Sequence, residues 1–165
     1  MIKLKDILIR LKENVNESTS FTNWQIPSDE DLRREFRVEH EMKELNYFSD
    51  VDEFLQKCKS AKHVVITPAM DSNIQYRSRT KSFDQLLSLI KGYRSYPKYR
   101  NEETLKSMYT AFKSNKKMDM PIVLKFKDGN MRIFAGNTRM DVAFQLNINP
   151  KVLMVKVNKI SVDDY

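Results

Sequence analysis

The segment from Gly136 to Arg139 has the composition of an anion-binding turn between a strand and a helix. Glycine lets the backbone approach a ligand closely or adopt a positive φ. The amides of Asn137, Thr138 and Arg139 would be unpaired donors at a helix N-terminus, where the helix dipole also favours an anion. The forked guanidinium of Arg139 matches the oxygens of a phosphate group. The turn is therefore a candidate phosphate-binding site.

A purely structural interpretation of the same turn stays open. In it Gly136 only reverses the chain, and Thr138 caps the helix through its hydroxyl. Arg139 then pairs with an acid of the chain itself, such as Asp141 or Glu102. The four residues of the turn do not separate these two interpretations.

A second group of residues suited to binding lies at 91–100, where four basic side chains alternate with three tyrosines. Basic groups can follow a phosphate backbone while aromatic rings stack on bases. The candidate nucleic-acid-binding residues are Lys91, Tyr93, Arg94, Tyr96, Lys98, Tyr99 and Arg100. The alternative is that the tyrosines pack against the core while the charged groups reach solvent.

The charge of the chain is concentrated around this group. Residues 76–117 contain eleven Lys or Arg and three acids, whereas the rest of the 165 residues sums to about −1 of the total +7. A localised basic segment attracts a nucleotide or a polyanion such as DNA or RNA. The alternative is a solvated helical face with long lysines.

Composition limits the class of protein. The 41% of hydrophobic residues can form a core, and three glycines with 31% charged residues fit a helix-rich chain. The single cysteine, Cys58, excludes an internal disulfide, and His40 and His63 have no partners at metal-ligand spacing. The apolar stretch at residues 2–11 is too short and too charged for a signal peptide or a membrane span. We therefore expect a cytoplasmic protein with no membrane partner and no protein-based metal site.

Helical patterns dominate the first part of the chain. Apolar residues at positions 4, 7, 8 and 11 share one face of a predicted first helix. Pro27-Ser28 with Asp31 indicates the start of a charged helix that runs to about residue 45. After a Ser49/Asp50 cap, the apolar stripe from residue 51 to Cys58 predicts a further helix in which Cys58 is a buried structural thiol.

The pattern changes after residue 62 and becomes mixed. Two further helices are expected from the apolar faces at 83–90 and 105–112, and Asn147 suits a left-handed helix C-cap. The Asp128-Gly129 turn predicts a hairpin. The predicted strands are Val64–Thr67, Pro121–Phe126, Met131–Ala135 and Lys151–Val157. We predict an N-terminal helical extension (1–62) and an α+β domain (63–165) with a basic helical insertion at about 91–118.

This order of elements resembles the ParB/sulfiredoxin family. The resemblance rests on four features in order: a Pro-Ile-Val-Leu strand, an Asp-Gly hairpin, a return strand and a Gly-x-x-Arg-x-x-x-Ala motif, here called the box. In this chain the box residues are Gly136, Arg139 and Ala143, and the family's Gln-x-Arg loop corresponds to Gln75-Tyr76-Arg77. The resemblance covers residues 64–157 and implies a small mixed sheet with flanking helices.

The resemblance also implies a site. Gly136 to Arg139 would hold nucleotide phosphates, and Arg77 or Arg79 would face the same pocket from the first loop. Asp71 lies in that loop and is the candidate catalytic base or metal ligand, with Asp141 as a weaker candidate. An ordinary solvated loop acid is the alternative for Asp71. The implied cofactor is a nucleoside triphosphate with Mg²⁺.

Departures from the family narrow the activity. Thr138 stands where the sulfiredoxin branch needs a cysteine, and Asn137 stands where the ParB clamp branch has a glutamate. We therefore expect an ATP- or CTP-dependent kinase or NTPase that acts on or near nucleic acid. The alternatives are a non-catalytic DNA- or RNA-binding module and a ParB-like nuclease. The lysine-rich style suits a bacteriophage accessory protein, which would work in the host cytoplasm.

Overall fold

The computed structural model describes residues 21–43, 47–76 and 102–161. Several of the predictions fall outside these ranges and remain predictions. They are the first helix at 4–11, the loop arginines Arg77 and Arg79, the helix at 83–90 and the tyrosine-rich basic group at 91–100.

The described chain contains seven strands and five helices in mixed order. The helices are α1 (Asp29–Lys43), α2 (Val51–Ser60), α3 (Pro68–Asp71), α4 (Glu102–Lys113) and α5 (Asn137–Gln145). The strands are β1 (Trp24–Gln25), β2 (Lys62–Val65), β3 (Ile74–Gln75), β4 (Met118–Asp119), β5 (Ile122–Lys125), β6 (Met131–Ala135) and β7 (Lys151–Lys156). The prediction of a mixed α+β structure is confirmed.

Five of the strands form one sheet in the order β2-β7-β5-β6-β3. β5 pairs with β6 in an antiparallel hairpin and with β7 in parallel, so the sheet is mixed. The Asp128-Gly129 turn closes this hairpin as predicted: the N–H of Gly129 donates to the carbonyl oxygen of Phe126 over 3.0 Å, and Gly129 has φ +86°. The short strands β1 and β4 form a separate parallel pair.

Helices cover both faces of the sheet because its central strands are apolar on both sides. On one face, Leu32 of α1 and Phe54 of α2 share a core with Leu124 and Leu153. On the other face, Met140 of α5 packs with residues of β5, β6 and β7. α4 then packs against α5, where Leu105, Tyr109 and Phe112 are buried. The sheet thus fixes the position of α5, the helix of the predicted phosphate site.

The starts of α1 and α2 follow from their capping residues. The backbone N–H of Asp31 donates to Ser28 Oγ over 3.2 Å, and α1 begins at the residue after Ser28. Asp50 caps α2 by accepting the N–H of Glu53 over 2.8 Å. Both helix starts agree with the sequence prediction. The boundary proposed after residue 62 stays a prediction, although α1 and α2 share their core with the sheet.

The first strand of the main sheet lies two residues earlier than predicted. β2 covers Lys62–Val65 because its pairing with β7 runs from Lys62 opposite Met154 to Val65 opposite Lys151. The N–H of Ile66 still donates to the carbonyl oxygen of Pro150 over 2.8 Å. Thr67 does not continue the strand, because it caps α3 through a hydroxyl that accepts the N–H of Met70 over 3.3 Å.

Cys58 is fully buried in the core beneath α2. Burial raises the pKa of its thiol to about 12, so the reactive thiolate is scarce at neutral pH. The prediction of a structural thiol is confirmed. Within the described ranges, no helix combines the length and the apolar character needed to cross a membrane.

Candidate functional site

The predicted turn lies where β6 ends and α5 begins. Gly136 has φ +92°, which is the left-handed region that glycine adopts without strain, and α5 starts at the next residue. The helix N-terminus receives no hydrogen bond from a side-chain cap. The suggestion that Thr138 caps the helix is therefore wrong, because the chain turns so sharply at Gly136 that Thr138 already belongs to the first helical turn.

Gly136 is also confined by its neighbours. A Cβ on this residue would lie 2.8 Å from Pro121 Cβ and 2.9 Å from Arg139 Nη2. Glycine at position 136 thus allows Pro121 and Arg139 of the chain itself, rather than a ligand, to come close to the backbone. This part of the structural interpretation agrees with the geometry.

Arg139 is largely buried and lies beside the start of α5. Burial lowers the pKa of its guanidinium, whereas the carboxylates of Glu35, Asp119 and Asp31 oppose this effect. No carboxylate among the described residues forms an ion pair with it. Its Nε is buried and has no hydrogen-bond partner among these residues.

Of the partners suggested for Arg139 in the structural interpretation, Asp141 forms no ion pair with it, and the side chain of Glu102 lies outside the described part of the chain. The acidic residues that oppose the lowering of the pKa of Arg139 come from α1 and β4. A guanidinium with an unused donor beside an uncapped helix N-terminus provides the charge and the hydrogen-bond donors that an anion requires.

Asp71 is the last residue of α3 and is 1% exposed. Its Oδ1 accepts a hydrogen bond from the hydroxyl of Tyr76, which follows β3. The alternative of an ordinary solvated loop acid is wrong. Asp71 is instead a buried carboxyl group with a defined partner, which is the state expected of a buried polar group.

Asp141 lies on α5, two residues after Arg139, and is also buried. Burial, and next the negative charge of Asp141, raises the pKa of the Tyr76 and Tyr109 hydroxyls well above the usual value for tyrosine. Tyr109 of α4 donates a hydrogen bond to Gln145 Oε1 on α5. We call these residues the tyrosine–aspartate cluster: Asp71, Tyr76, Tyr109, Asp141 and Gln145.

The cluster connects the two candidate carboxylates that the sequence named separately. The Tyr76 hydroxyl donates a hydrogen bond to Asp71, and the negative charge of Asp141 raises the pKa of the same hydroxyl. Asp141 lies on α5, next to the turn. The sequence pattern placed Tyr109 only on an apolar helical face and assigned nothing to Gln145, because the two residues lie 36 positions apart and their contact is not visible in a local pattern. No group of three or more His, Cys, Asp or Glu suited to a metal ion occurs within the described part of the chain.

Asn137, the second residue of the predicted turn, is 7% exposed, whereas Thr138 is half-buried. A ligand at the turn would therefore meet backbone amides, Thr138 and Arg139 before it met the Asn137 side chain.

Comparison with known proteins adds no identification, because no protein-family model, curated protein or solved structure matches this chain. The ParB/sulfiredoxin resemblance accordingly remains a prediction from its motifs.

Proposed function

We propose that this chain is a nucleotide-phosphate-binding protein of ParB/sulfiredoxin type, which transfers or hydrolyses a phosphoryl group on or near nucleic acid. The observation that carries the proposal is the Arg139 guanidinium, held without an ion pair among the described residues beside an uncapped helix N-terminus. A phosphate there accepts hydrogen bonds from the guanidinium and from the first amides of α5. The same contact removes the cost of leaving a buried donor unpaired.

Charge around the site favours a polyphosphate bound with a cation. Glu35, Asp119 and Asp31 place negative charge near Arg139. Arg34 offsets part of it, since it pairs with Asp31 over 2.8 Å, and the remaining charge repels a bare anion. A nucleoside triphosphate carries Mg²⁺, which neutralises the phosphate oxygens when it is bound. Arg77 and Arg79, from the loop after Tyr76, are the further phosphate ligands that the family resemblance implies.

Asp71 is the proposed base of the transfer step. An acceptor hydroxyl, or water in the hydrolytic case, forms a bond to the terminal phosphorus and gives its proton to Asp71. The bond from that phosphorus to the bridging oxygen breaks, and the nucleoside diphosphate leaves. The Tyr76 hydroxyl holds the Asp71 carboxyl group in place. Because Asp71 is 1% exposed, the groups around it must move when the acceptor binds.

A thermal-shift and calorimetric screen tests the binding step. ATP, ADP, CTP and GTP, each with Mg²⁺, are added to the protein and to Arg139→Lys, which keeps the charge but loses the fork and Nε. At about 100 times Kd, a nucleotide stabilises the native state by about 2.7 kcal/mol, which raises Tm by roughly 5–10 °C. We expect this increase in the parent protein and a much smaller one in Arg139→Lys.

The control is Arg33→Lys, because Arg33 is an exposed arginine whose ion pair with Asp52 lies on α1 and α2. Its nucleotide response should equal that of the parent. Absence of both a Tm increase and binding heat for every nucleotide would refute the proposal. Binding that Arg139→Lys leaves intact would place the nucleotide elsewhere. Where a nucleotide binds, Asp71→Asn separates transfer from binding, since it should abolish turnover and keep the Tm increase.

A further inference from the structure

A basic groove of about 690 Å³ lies at the end of the sheet where β5 and β7 finish. Its basic residues are Lys57, Lys62, Lys125, Lys127 and Lys156, and none of the described residues that line it is acidic. Met154 and Val157 contribute an apolar floor. Neither the candidate turn nor the tyrosine–aspartate cluster contributes a residue to this groove, which we call the lysine groove.

The sheet itself sets the spacing of these lysines. Lys125 of β5 lies directly opposite Lys156 of β7 in the parallel register. Lys62 of β2 lies opposite Met154 of β7. Met154 comes two residues before Lys156, so the two side chains lie on the same face of β7. Three positive charges thus project from neighbouring strands. Like charges opposite one another on a sheet are destabilising, and an anion bound between them removes this repulsion.

Most of this charge is not neutralised by the protein. Lys57 pairs with Glu53 over 3.3 Å. The other four lysines are exposed, and none of them forms an ion pair with any described residue. The groove therefore presents about four positive charges to whatever enters it.

The lysine groove and the turn at Gly136 lie at opposite ends of β5. Gly136 contacts Pro121, which precedes the strand, whereas Lys125 is its last residue. Four residues of strand separate the two sites by about 13 Å. A single nucleotide at the turn does not extend into the groove, so the two sites take different ligands or different parts of a polymer.

We propose that the lysine groove binds the phosphodiester backbone of single-stranded nucleic acid without regard to sequence. Lysines spaced along a groove match a row of phosphates, and the apolar floor can contact sugars and base faces. A concave groove of this volume admits a single strand, whereas a duplex or a bilayer surface would contact only its rim. The inference does not depend on nucleotide binding at the turn.

Salt-dependent binding of labelled oligothymidylate and oligouridylate of about 20 nucleotides tests the proposal. Fluorescence anisotropy is measured between about 50 and 200 mM salt, where log Kobs falls by about 0.7 per neutralised phosphate for each unit of log salt concentration. The variant is Lys62→Gln/Lys125→Gln/Lys156→Gln. We expect its slope to be shallower by about 2 and its affinity at about 50 mM salt to be weaker by more than about tenfold.

The matched control is Lys113→Gln/Lys116→Gln/Lys117→Gln, which removes the same charge from exposed lysines at the end of α4 and in the turn before β4. Thermal unfolding should show that both variants are folded, since every substituted lysine is exposed. Equal losses in the two variants would overturn the proposal, because net charge alone would then explain binding. A groove variant that binds like the parent would overturn it as well.

Two further arms identify the ligand and separate the two sites. The first arm measures binding of a labelled duplex and of vesicles that contain phosphatidylserine. The groove substitutions should weaken the binding of either ligand less than they weaken the binding of the single strand. A greater loss for the duplex or the vesicles would overturn the proposal. Arg139→Lys should bind the single strand like the parent. Failure of nucleotide binding at the turn would leave this result unchanged, so the two proposals fail separately.

Discussion

The guanidinium of Arg139 folds back over Gly136, so that its Nη2 lies 2.9 Å from the position that a Cβ on residue 136 would occupy. Pro121 closes the other side of the same position at 2.8 Å. Pro121 and Arg139 thus both occupy the space that a side chain at position 136 would need, and the placement of the candidate phosphate ligand depends on the absence of that side chain.

Gly136→Ala should destabilise the protein by about 2–4 kcal/mol, from the left-handed backbone and from the overpacked methyl group together. Gly129→Ala is the control, because Gly129 has φ +86° but no heavy atom within 4 Å of its Cβ position. It should cost only about 1–2 kcal/mol. Urea unfolding of both variants measures the difference. Equal costs would mean that the contacts with Pro121 and Arg139 do not constrain the turn.

The sequence indicated those parts of the fold whose signals are local. The Asp50 cap, the apolar stripe to Cys58, the Asp-Gly hairpin and the left-handed Asn147 each depend on a few adjacent residues, and each agrees with the structure. Such features follow from backbone preferences and helical periodicity. The glycine at the start of α5 was identified for the same reason.

Features that depend on distant segments could not be predicted. β1 and β4 are each two residues long, which is too short to show the alternating pattern of a strand in the sequence. Their pairing places Trp24 opposite Met118, far away along the chain. The burial of Asp71 depends on Tyr76 and on packing against neighbouring segments rather than on its own surroundings in the sequence. The lysine groove likewise arises from the register that places Lys125 opposite Lys156.

The hydroxyl of Tyr76 should contribute more to stability than the hydroxyl of Tyr109. Tyr76 donates to the buried carboxyl group of Asp71, whereas Tyr109 donates to the neutral amide of Gln145. A buried acceptor left unsatisfied costs about 1–3 kcal/mol, and Asp71 is 1% exposed whereas Gln145 is only partly buried. Urea unfolding of Tyr76→Phe and Tyr109→Phe should therefore show the larger loss for Tyr76→Phe. The reverse order would mean that Asp71 does not depend on this bond.

Glu53 should make the stability of the protein depend on pH in the acidic range. Hydrogen bonds from the hydroxyl and the backbone N–H of Ser49, followed by the contact with Lys57, lower the pKa of its carboxyl group from 4.5 to about 2. Because the folded pKa is the lower one, the stabilisation is complete above pH 4.5 and is lost as the pH falls towards 2.

The variant that tests this is Glu53→Gln, compared with the parent by urea unfolding at several pH values. The parent should be the more stable at pH 7, and the difference should shrink as the pH falls through this range. Asp128, whose pKa is also lowered, is present in both proteins, so its contribution cancels. A difference that stays constant with pH would show that Glu53 acts only through its shape and not through its charge.

Lys125→Glu should increase stability while it weakens binding of single-stranded nucleic acid. The substitution places a carboxylate opposite Lys156 in the parallel register and replaces a repulsive pair by an attractive one. Cross-strand pairs of opposite charge contribute about 0.2–1 kcal/mol, and salt should reduce this gain because the pair is exposed. Lys116→Glu is the control, an exposed lysine outside the sheet that should show no such gain. If position 125 served folding alone, lysine would not be the less stable choice there. A Lys125→Glu variant that is more stable but binds less well would therefore indicate that Lys125 serves ligand binding. A Lys125→Glu protein no more stable than the parent would show that the repulsion between the two strands is already screened.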